Sequence, residues 1–381
     1  MAGDYRTQVH ASIDELPAAQ WDALARTCGG DQPFVRHRFL QLLEHTGCAT
    51  AQTGWQPMHL AIWRGQQLKA AAPLWLKSHS YGEYVFDWAW ADAYRRHGLQ
   101  YYPKLLLAVP FTPVPGARLL ACDEPHRRLL ARALVSLAQQ QNCSSLHVLF
   151  PGESEAQHLV QAGALQRRGV QFHWRNQDWT DFEQFLQSLN QTKRKKIRAE
   201  RRKVREAGVE LRRLQGRDIT AADWDAFSRF YENTYAAHQS TPYLNHSFFE
   251  GLGADMPESV LMVMAWRQGE RIAASLLMRD SHRLYGRYWG ASQHVPCLHF
   301  EACYYQPIEA AIEAKIAVIE GGAQGEHKMA RGFDPVSTYS AHWLAEPMFA
   351  DAVDRFLQRE GQMLDGYMDE LTEHSAFKAS P

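Results

Sequence analysis

Apolar positions along the chain follow two periods. At residues 123–141 leucines and alanines recur three and four apart, and the same spacing returns at 221–237, as expected for helices that lay one face on a sheet. Short runs rich in valine, leucine and aromatic residues stand at 145–150, 170–174, 209–214, 260–266 and 284–289, and these predict strands. Strands and helices alternate, so the expected class is α/β with a mixed sheet.

The pattern repeats itself. Trp21-Asp22-Ala23-Leu24 precedes Pro33-Phe34-Val35 and then Leu60-Ala61-Ile62-Trp63-Arg64; Trp224-Asp225-Ala226-Phe227 precedes Pro242-Tyr243-Leu244 and then Val263-Met264-Ala265-Trp266-Arg267. Trp21 and Trp224 are 203 positions apart, as are Trp63 and Trp266, while the middle block is shifted by six more, a loop-length change. A glycine turn and a second apolar run follow each second tryptophan, 68–76 and 272–278, so each half is expected to carry a β-hairpin. Ordered blocks at a fixed offset mark a duplicated unit.

The chain has 381 residues, 45% of them hydrophobic, 12% aromatic and 22% charged, enough for two cores. The expected layout is a first lobe at 1–190, a basic helix at 191–208, and a second lobe at 209–381 with the site. A formal net charge of −1 gives no global field for DNA or an anionic membrane. The N-terminal stretch lacks a basic segment followed by an apolar core, and no run reaches the length of a spanning helix, so a cytoplasmic protein without a transmembrane segment is expected. Six scattered cysteines without a CxxC pair suit reduced thiols.

Local charge is another matter. Lys193, Arg194, Lys195, Lys196, Arg198, Arg201, Arg202, Lys203 and Arg205 crowd one helical stretch ended by Gly208, with basic groups expected on every face. It is either a solvated helix or a surface for a polyanion, with Lys193, Arg194, Lys196 and Arg198 as phosphate ligands. In the latter case a nucleic-acid-binding protein is one further reading, and it would show steep salt dependence.

The densest run of glycines and titratable residues is 320–333, with Gln324, Glu326, His327, Lys328 and Arg331. It follows the apolar run 316–319 and so reads as a loop leaving a strand end, where open α/β sheets place ligands. Its alternative is a tight turn whose charges pair at the surface. Just upstream, 299–313 predicts a helix on which residues 301, 305, 308 and 312 share a face. Glu301 in its first turn is either a base for an amine nucleophile or a carboxylate on the helix dipole. The histidines lack HxxxH or HExxH spacing, so no metal is expected, and no GxSxG elbow supports a serine hydrolase. In the first half, 101–105 and 110–118 form a proline-rich segment with Tyr102, Lys104, Phe111 and Thr112, either walling a cleft or packed without a ligand.

The stretches YYPKLLLAVPFTPVPGARLL, FHWRNQ, KRKKIRAERRKV, FYENTY, HFEACYYQPIEAAIE and EGGAQGEHKMARGF resemble the bacterial FemAB-like proteins over nearly the whole chain. The resemblance implies a tandem, duplicated Gcn5-related acyltransferase fold of the Fem-like type. It also implies an N-acyltransferase with acyl-CoA or aminoacyl-tRNA as donor, no tightly bound cofactor, and a small-molecule or peptide amine as acceptor. Residues 290–296 lack the RxxGxG pattern that cradles a CoA pyrophosphate, and no long coiled-coil arm of the tRNA-associated kind is present. On this reading Glu301, Glu326, His327 and Lys328 are the catalytic candidates. Gln324, Arg331, Tyr304, Tyr305, Tyr102, Lys104, Phe111 and Thr112 would contact substrate. The competing reading is a non-catalytic module that binds a peptidoglycan precursor or another anionic ligand.

Overall fold

The computed structural model describes residues 5–323 and 325–378, so Gln324 lies outside the described residues. The chain divides into two compact units, Met1–Val170 with Ser337–Tyr367, and Gln171–Val336 with Met368–Pro381. The second unit includes the basic helix.

In the first half the chain forms β1 (Tyr5–His10), α1 (Ala18–Gly29), α2 (His37–His45), β2 (Trp55–Pro57), β3 (His59–Arg64), β4 (Gln67–Ala72), β5 (Leu74–Lys77), α3 (Trp88–Arg96), β6 (Lys104–Leu107), β7 (Leu120–Ala121), α4 (Glu124–Gln140), β8 (Ser145–Leu149), α5 (Glu153–Gln161) and β9 (Leu165–Arg175). The second half runs through α6 (Phe182–Ser188), α7 (Gln191–Glu206), β10 (Val209–Gln215), α8 (Ala221–Ala237), α9 (His246–Asp255), β11 (Val260–Arg267), β12 (Glu270–Arg279), β13 (Arg283–Ala291), α10 (Leu298–Phe300), α11 (Gln306–Glu313), β14 (Val318–Glu320), β15 (Phe333–Leu344) and α12 (Pro347–Glu373). A π turn, Glu301–Tyr305, joins α10 to α11, and a 3₁₀ helix, Glu326–Arg331, lies between β14 and β15.

The repeat in the sequence is a repeat in the chain's path. Each half opens strand, helix, helix, hairpin, with the short β2 inserted before the first hairpin: β1-α1-α2-β2-β3-β4 and β10-α8-α9-β11-β12. In each, the first strand pairs antiparallel with the hairpin's first strand. Each hairpin carries a register shift at the same place, between Ile62 and Trp63 and between Ala265 and Trp266. An extra residue there bends the strand and increases its twist, and such bulges behave as inherited features of a fold. The first hairpin is shorter than its apolar run suggests, because Pro73 interrupts the run and residues 74–77 join another sheet.

In the first unit β1-β3-β4-β7 form one sheet, and β9-β15-β8-β6-β5-β2 lie in sequence in the other. Leu130, Ala131, Leu134 and Ala138 of α4 pack on Leu60, Ile62, Ala70, Leu105 and Val148 to make its core. Asp123 caps α4, its carboxylate accepting from the His126 N–H at 3.0 Å. In the second unit the strand order is β10-β11-β12-β13-β14-β9. There β13 and β14 are parallel, and Val204 and Val209 pack with Ala265, Ile272 and Leu298.

The basic helix differs from expectation in one respect. Its charges do not cover every face: Ile197, Glu200 and Val204 are buried. Asn190 caps it through the Lys193 N–H at 3.0 Å. Among the described residues no helix is long and apolar enough to cross a membrane.

Candidate functional site

The parallel pairing of β13 with β14 ends at Tyr285 and Glu320, while β13 continues to Ala291. Its backbone over 286–291 has no strand partner on that edge among the described residues. The chain leaves β14 through Gly321 and Gly322. A Cβ on Gly321 would stand 2.9 Å from the Lys328 Cδ and 3.1 Å from the Phe172 carbonyl oxygen, so a side chain there would crowd both. The result is an open strand end of the kind that receives ligands in α/β sheets.

Lys328 is 3% exposed, and its ammonium donates to the Gly322 carbonyl at 3.2 Å; among the described residues it has no carboxylate partner. Burial pushes its pKa down to about 8. At the end of β14, Glu320 is 2% exposed and accepts from Arg283 Nη1 at 2.7 Å. Its other oxygen has no hydrogen bond among the described residues, and lies 4.0 Å from the His173 Nε2, which is likewise unpartnered. Desolvation raises Glu320 to about 7, against the opposing Arg283 charge, and lowers His173 to about 3. A cation and a carboxylate are thus both held near the pH at which a proton can move.

Most of the other candidates in this unit are engaged. Glu301 is buried and paired with Arg201 at 3.0 Å, with Gln306 Nε2 donating to it at 2.9 Å; Arg201 also reaches Glu309 at 2.7 Å. It therefore ties α7 to the helix 298–313, and residues 301, 305, 308 and 312 share a buried face as the spacing implies. Tyr305 donates to Glu200, whose carboxylate also takes Arg331 Nη2 at 3.0 Å. Arg331 is 2% exposed, its guanidinium 3.6 Å from the Phe300 ring centroid. Tyr304 is hydrogen-bonded to His327 Nε2 at 3.0 Å. Glu326 and His327 are exposed on the 3₁₀ helix.

Of the four expected phosphate ligands on α7, Lys196 and Arg198 are exposed, and Lys193 and Arg194 half-buried. Arg198 is paired with Glu183. Lys195, Arg202, Lys203 and Arg205 add exposed positive charge to the same helix.

The first-half candidates enter a different kind of environment, within the first unit. Lys104 is fully buried, donating to Ser80 at 2.7 Å and Glu83 at 2.8 Å, and paired with Asp87. Tyr101 donates to Asp87 at 2.6 Å and contacts His147 Nε2 at 2.9 Å, and His147 Nδ1 meets His342 Nδ1 at 2.7 Å. His147 Nε2 also meets the Ser145 hydroxyl at 2.9 Å, and His342 Nε2 the Ser340 hydroxyl at 2.9 Å, so hydroxyls stand at both ends of the imidazole pair. Tyr102 is half-buried on Ser80 at 2.8 Å. Phe111 is buried against Trp55, with ring centroids 5.2 Å apart, and Thr112 is buried and donates to the Pro110 carbonyl.

The residues missed in the sequence are Glu320, His173, Arg283, Glu200 and the Tyr101–His147–His342 chain. Glu320 and His173 fell inside runs already singled out, but they end strands that face each other only after folding, Glu320 opposite His173.

Three solved structures share the fold. FemX aligns with a TM-score of 0.53 at 12% identity, over 92% of this chain and 100% of that one. The C-terminal domain of a putative lysylphosphatidylglycerol synthetase from Agrobacterium fabrum gives 0.56 at 10%, over 90% and 96%. L-PGS from Bacillus licheniformis gives 0.52 at 10%, over 90% and 97%. Among curated proteins none matches the chain in sequence. The fold is the mixed α/β one that FemX has. The profile described as peptidoglycan biosynthesis/recognition matches residues 12–379, and the chain belongs to the FemAB-like family.

Proposed function

We propose that the second unit transfers an acyl or aminoacyl group from an ester or thioester donor to an amine, forming an amide in cell-envelope peptide chemistry. The observation that carries this reading is Lys328, a buried ammonium without a carboxylate partner among the described residues, packed on the glycine turn that follows Glu320 at an open strand end. The amine attacks the donor carbonyl, and the unpaired backbone of β13 and the Lys328 charge take up the developing oxyanion. Glu320 accepts the proton lost by the amine. As the bond to the leaving oxygen or sulfur breaks, Lys328 supplies its proton; solvent then takes the proton from Glu320 and returns one to Lys328, so that each regains its starting charge.

The exposed basic residues of α7 favour a phosphate-rich donor, aminoacyl-tRNA or acyl-CoA; the missing RxxGxG pattern weighs against acyl-CoA and the missing coiled-coil arm against aminoacyl-tRNA. Sharing a fold with a protein named as a putative lysylphosphatidylglycerol synthetase suits aminoacyl transfer. Glu326 and His327, exposed on the 3₁₀ helix, would meet the acceptor. Arg331 and Glu301, held by Glu200 and Arg201, act as positioning residues.

Because the family description names recognition beside biosynthesis, the second reading is a module that binds a cell-wall precursor without chemistry. Thermal melting and intact-mass measurement against acyl-CoAs, aminoacyl-tRNAs and peptidoglycan precursors separates the two, since a ligand of the folded state raises its melting temperature. Stabilisation by one donor with a mass gain on an amine acceptor establishes the transferase. Stabilisation by a precursor alone establishes the binding module.

A further inference from the structure

We propose that Cys122, Asp123 and His126, at the start of α4 in the first unit, form a zinc-binding site. The three side chains bring a thiol, a carboxylate and an imidazole together, with one ligand atom from each within 4.8 Å of the others. Cys122 Sγ lies 3.4 Å from His126 Nδ1 and 3.6 Å from Asp123 Oδ2, and His126 Nδ1 lies 2.6 Å from Asp123 Oδ1. Zinc bonds of about 2.3 Å to sulfur and about 2.0 Å to nitrogen and oxygen, at tetrahedral angles, set ligand separations of about 3.3 to 3.6 Å. Both sulfur edges already have that length. The third opens when the metal replaces the hydrogen bond between His126 and Asp123.

The two Asp123 oxygens can divide the work once the metal replaces the ring's hydrogen bond to Oδ1. Oδ1 caps α4 through the His126 N–H, and Oδ2 faces the sulfur. The helix start can therefore keep its cap while the carboxylate binds metal. The imidazole is held for this use from its far side: its Nε2 is hydrogen-bonded to the Tyr5 hydroxyl at 3.0 Å, and the Tyr5 ring meets it edge-on at 5.3 Å. A partner on the second nitrogen is what metal-ligating histidines use to fix ring orientation and tautomer.

Asp123 is exposed, and Cys122 and His126 are half-buried, so an ion can enter and a water can complete the tetrahedron. Thiolate with imidazole selects zinc over magnesium or calcium, which prefer oxygen alone. Binding releases the Cys122 thiol proton and requires neutral His126, so affinity rises with pH. The bound ion would join the end of β7, the start of α4 and, through Tyr5, β1. It stands apart from the transferase reading, which uses the second unit. Sequence spacing hid it, because the helix cap rather than an HxxxH pair brings the ligands together.

Cobalt(II) is the probe, titrated into the full-length, reduced protein. The expected result is one equivalent bound with a thiolate-to-cobalt charge-transfer band and tetrahedral d–d bands, displaced by zinc. Cys122→Ser should remove the charge-transfer band, Asp123→Asn should keep the cap and thiol but weaken binding, and Tyr5→Phe should weaken zinc about tenfold. Zinc should raise the melting temperature of the wild type but not of Cys122→Ser. The proposal is overturned if the folded protein shows no thiolate band, or if the band persists in folded Cys122→Ser. If Cys122→Ser does not fold, undiminished cobalt binding by Asp123→Asn overturns it.

Discussion

After β8 in the first unit and after β14 in the second, the chain reaches equivalent points in the repeated path and treats buried charge in opposite ways. In the first it enters the regular helix α5. Glu155 is buried there and accepts from the backbone N–H groups of Arg118, Leu119 and Gly152 at 3.0, 2.9 and 3.4 Å, while Arg118 donates to the Leu149, Ala117 and Val114 carbonyls. In the second it turns through two glycines into a 3₁₀ helix, which buries Lys328 on one carbonyl and leaves Arg331 Nε and one Glu320 oxygen unpartnered among the described residues. Buried polar groups are normally satisfied, so such exceptions mark candidates for function; the first unit has its own at Glu83 Oε1 and Asp87 Oδ1, away from this point of the path and around Lys104. The preceding helices differ in the same sense, since α4 is regular and its counterpart contains the π turn Glu301–Tyr305, a distortion common at functional sites.

The sharpest way to break this comparison is to remove a buried cation from each unit. Lys104→Met leaves Glu83 and Asp87 buried without their cation, and should cost about 3 to 5 kcal/mol in urea unfolding. A loss below about 1 kcal/mol, the size of a surface pair, would show that the first unit's network is not structural. Lys328→Met should instead lower turnover about 100- to 1000-fold, as for loss of one oxyanion donor, with the melting temperature unchanged or raised. Equal losses of stability in the two variants would erase the contrast.

Glu301→Gln should cost about 2 kcal/mol of stability through its weakened bond to Arg201, yet leave turnover per folded molecule within about twofold. A collapse of kcat at unchanged stability would return Glu301 to catalysis. The smallest effect is one of pH. With Lys328 acting as the protonated form, kcat/KM should fall about tenfold per unit above its pKa of about 8. Stability moves the other way. Between about 8 and the usual 10.5 the unfolded chain binds the proton that the folded chain has lost, so this group's contribution makes stability rise with pH, and the rise should vanish in Lys328→Met.

Much of the scaffold was legible in the residues. The tryptophan blocks located both hairpins, and the apolar spacing located α4 and α8, because burial of one face imposes a period that any such helix or strand must show. The site was legible only in part. The run 320–333 contains Lys328, but Glu301 reads equally as a base or as an ion-pair partner until Arg201 is seen beside it. Lys104, expected to touch substrate, is enclosed by acids drawn from residues 83 and 87 across a loop.

By itself the sequence determined the duplicated α/β path, the placement of a glycine-rich loop at a strand end, and the basic character of one helix. These follow from local period and composition, which are properties of neighbouring residues. Only the tertiary structure decided which charges are satisfied. Whether Glu200 neutralises Arg331, whether Lys328 has a counter-ion, and whether Glu320 faces His173 depend on residues far apart in the chain, and a charge's pKa is set by what surrounds it rather than by what precedes it.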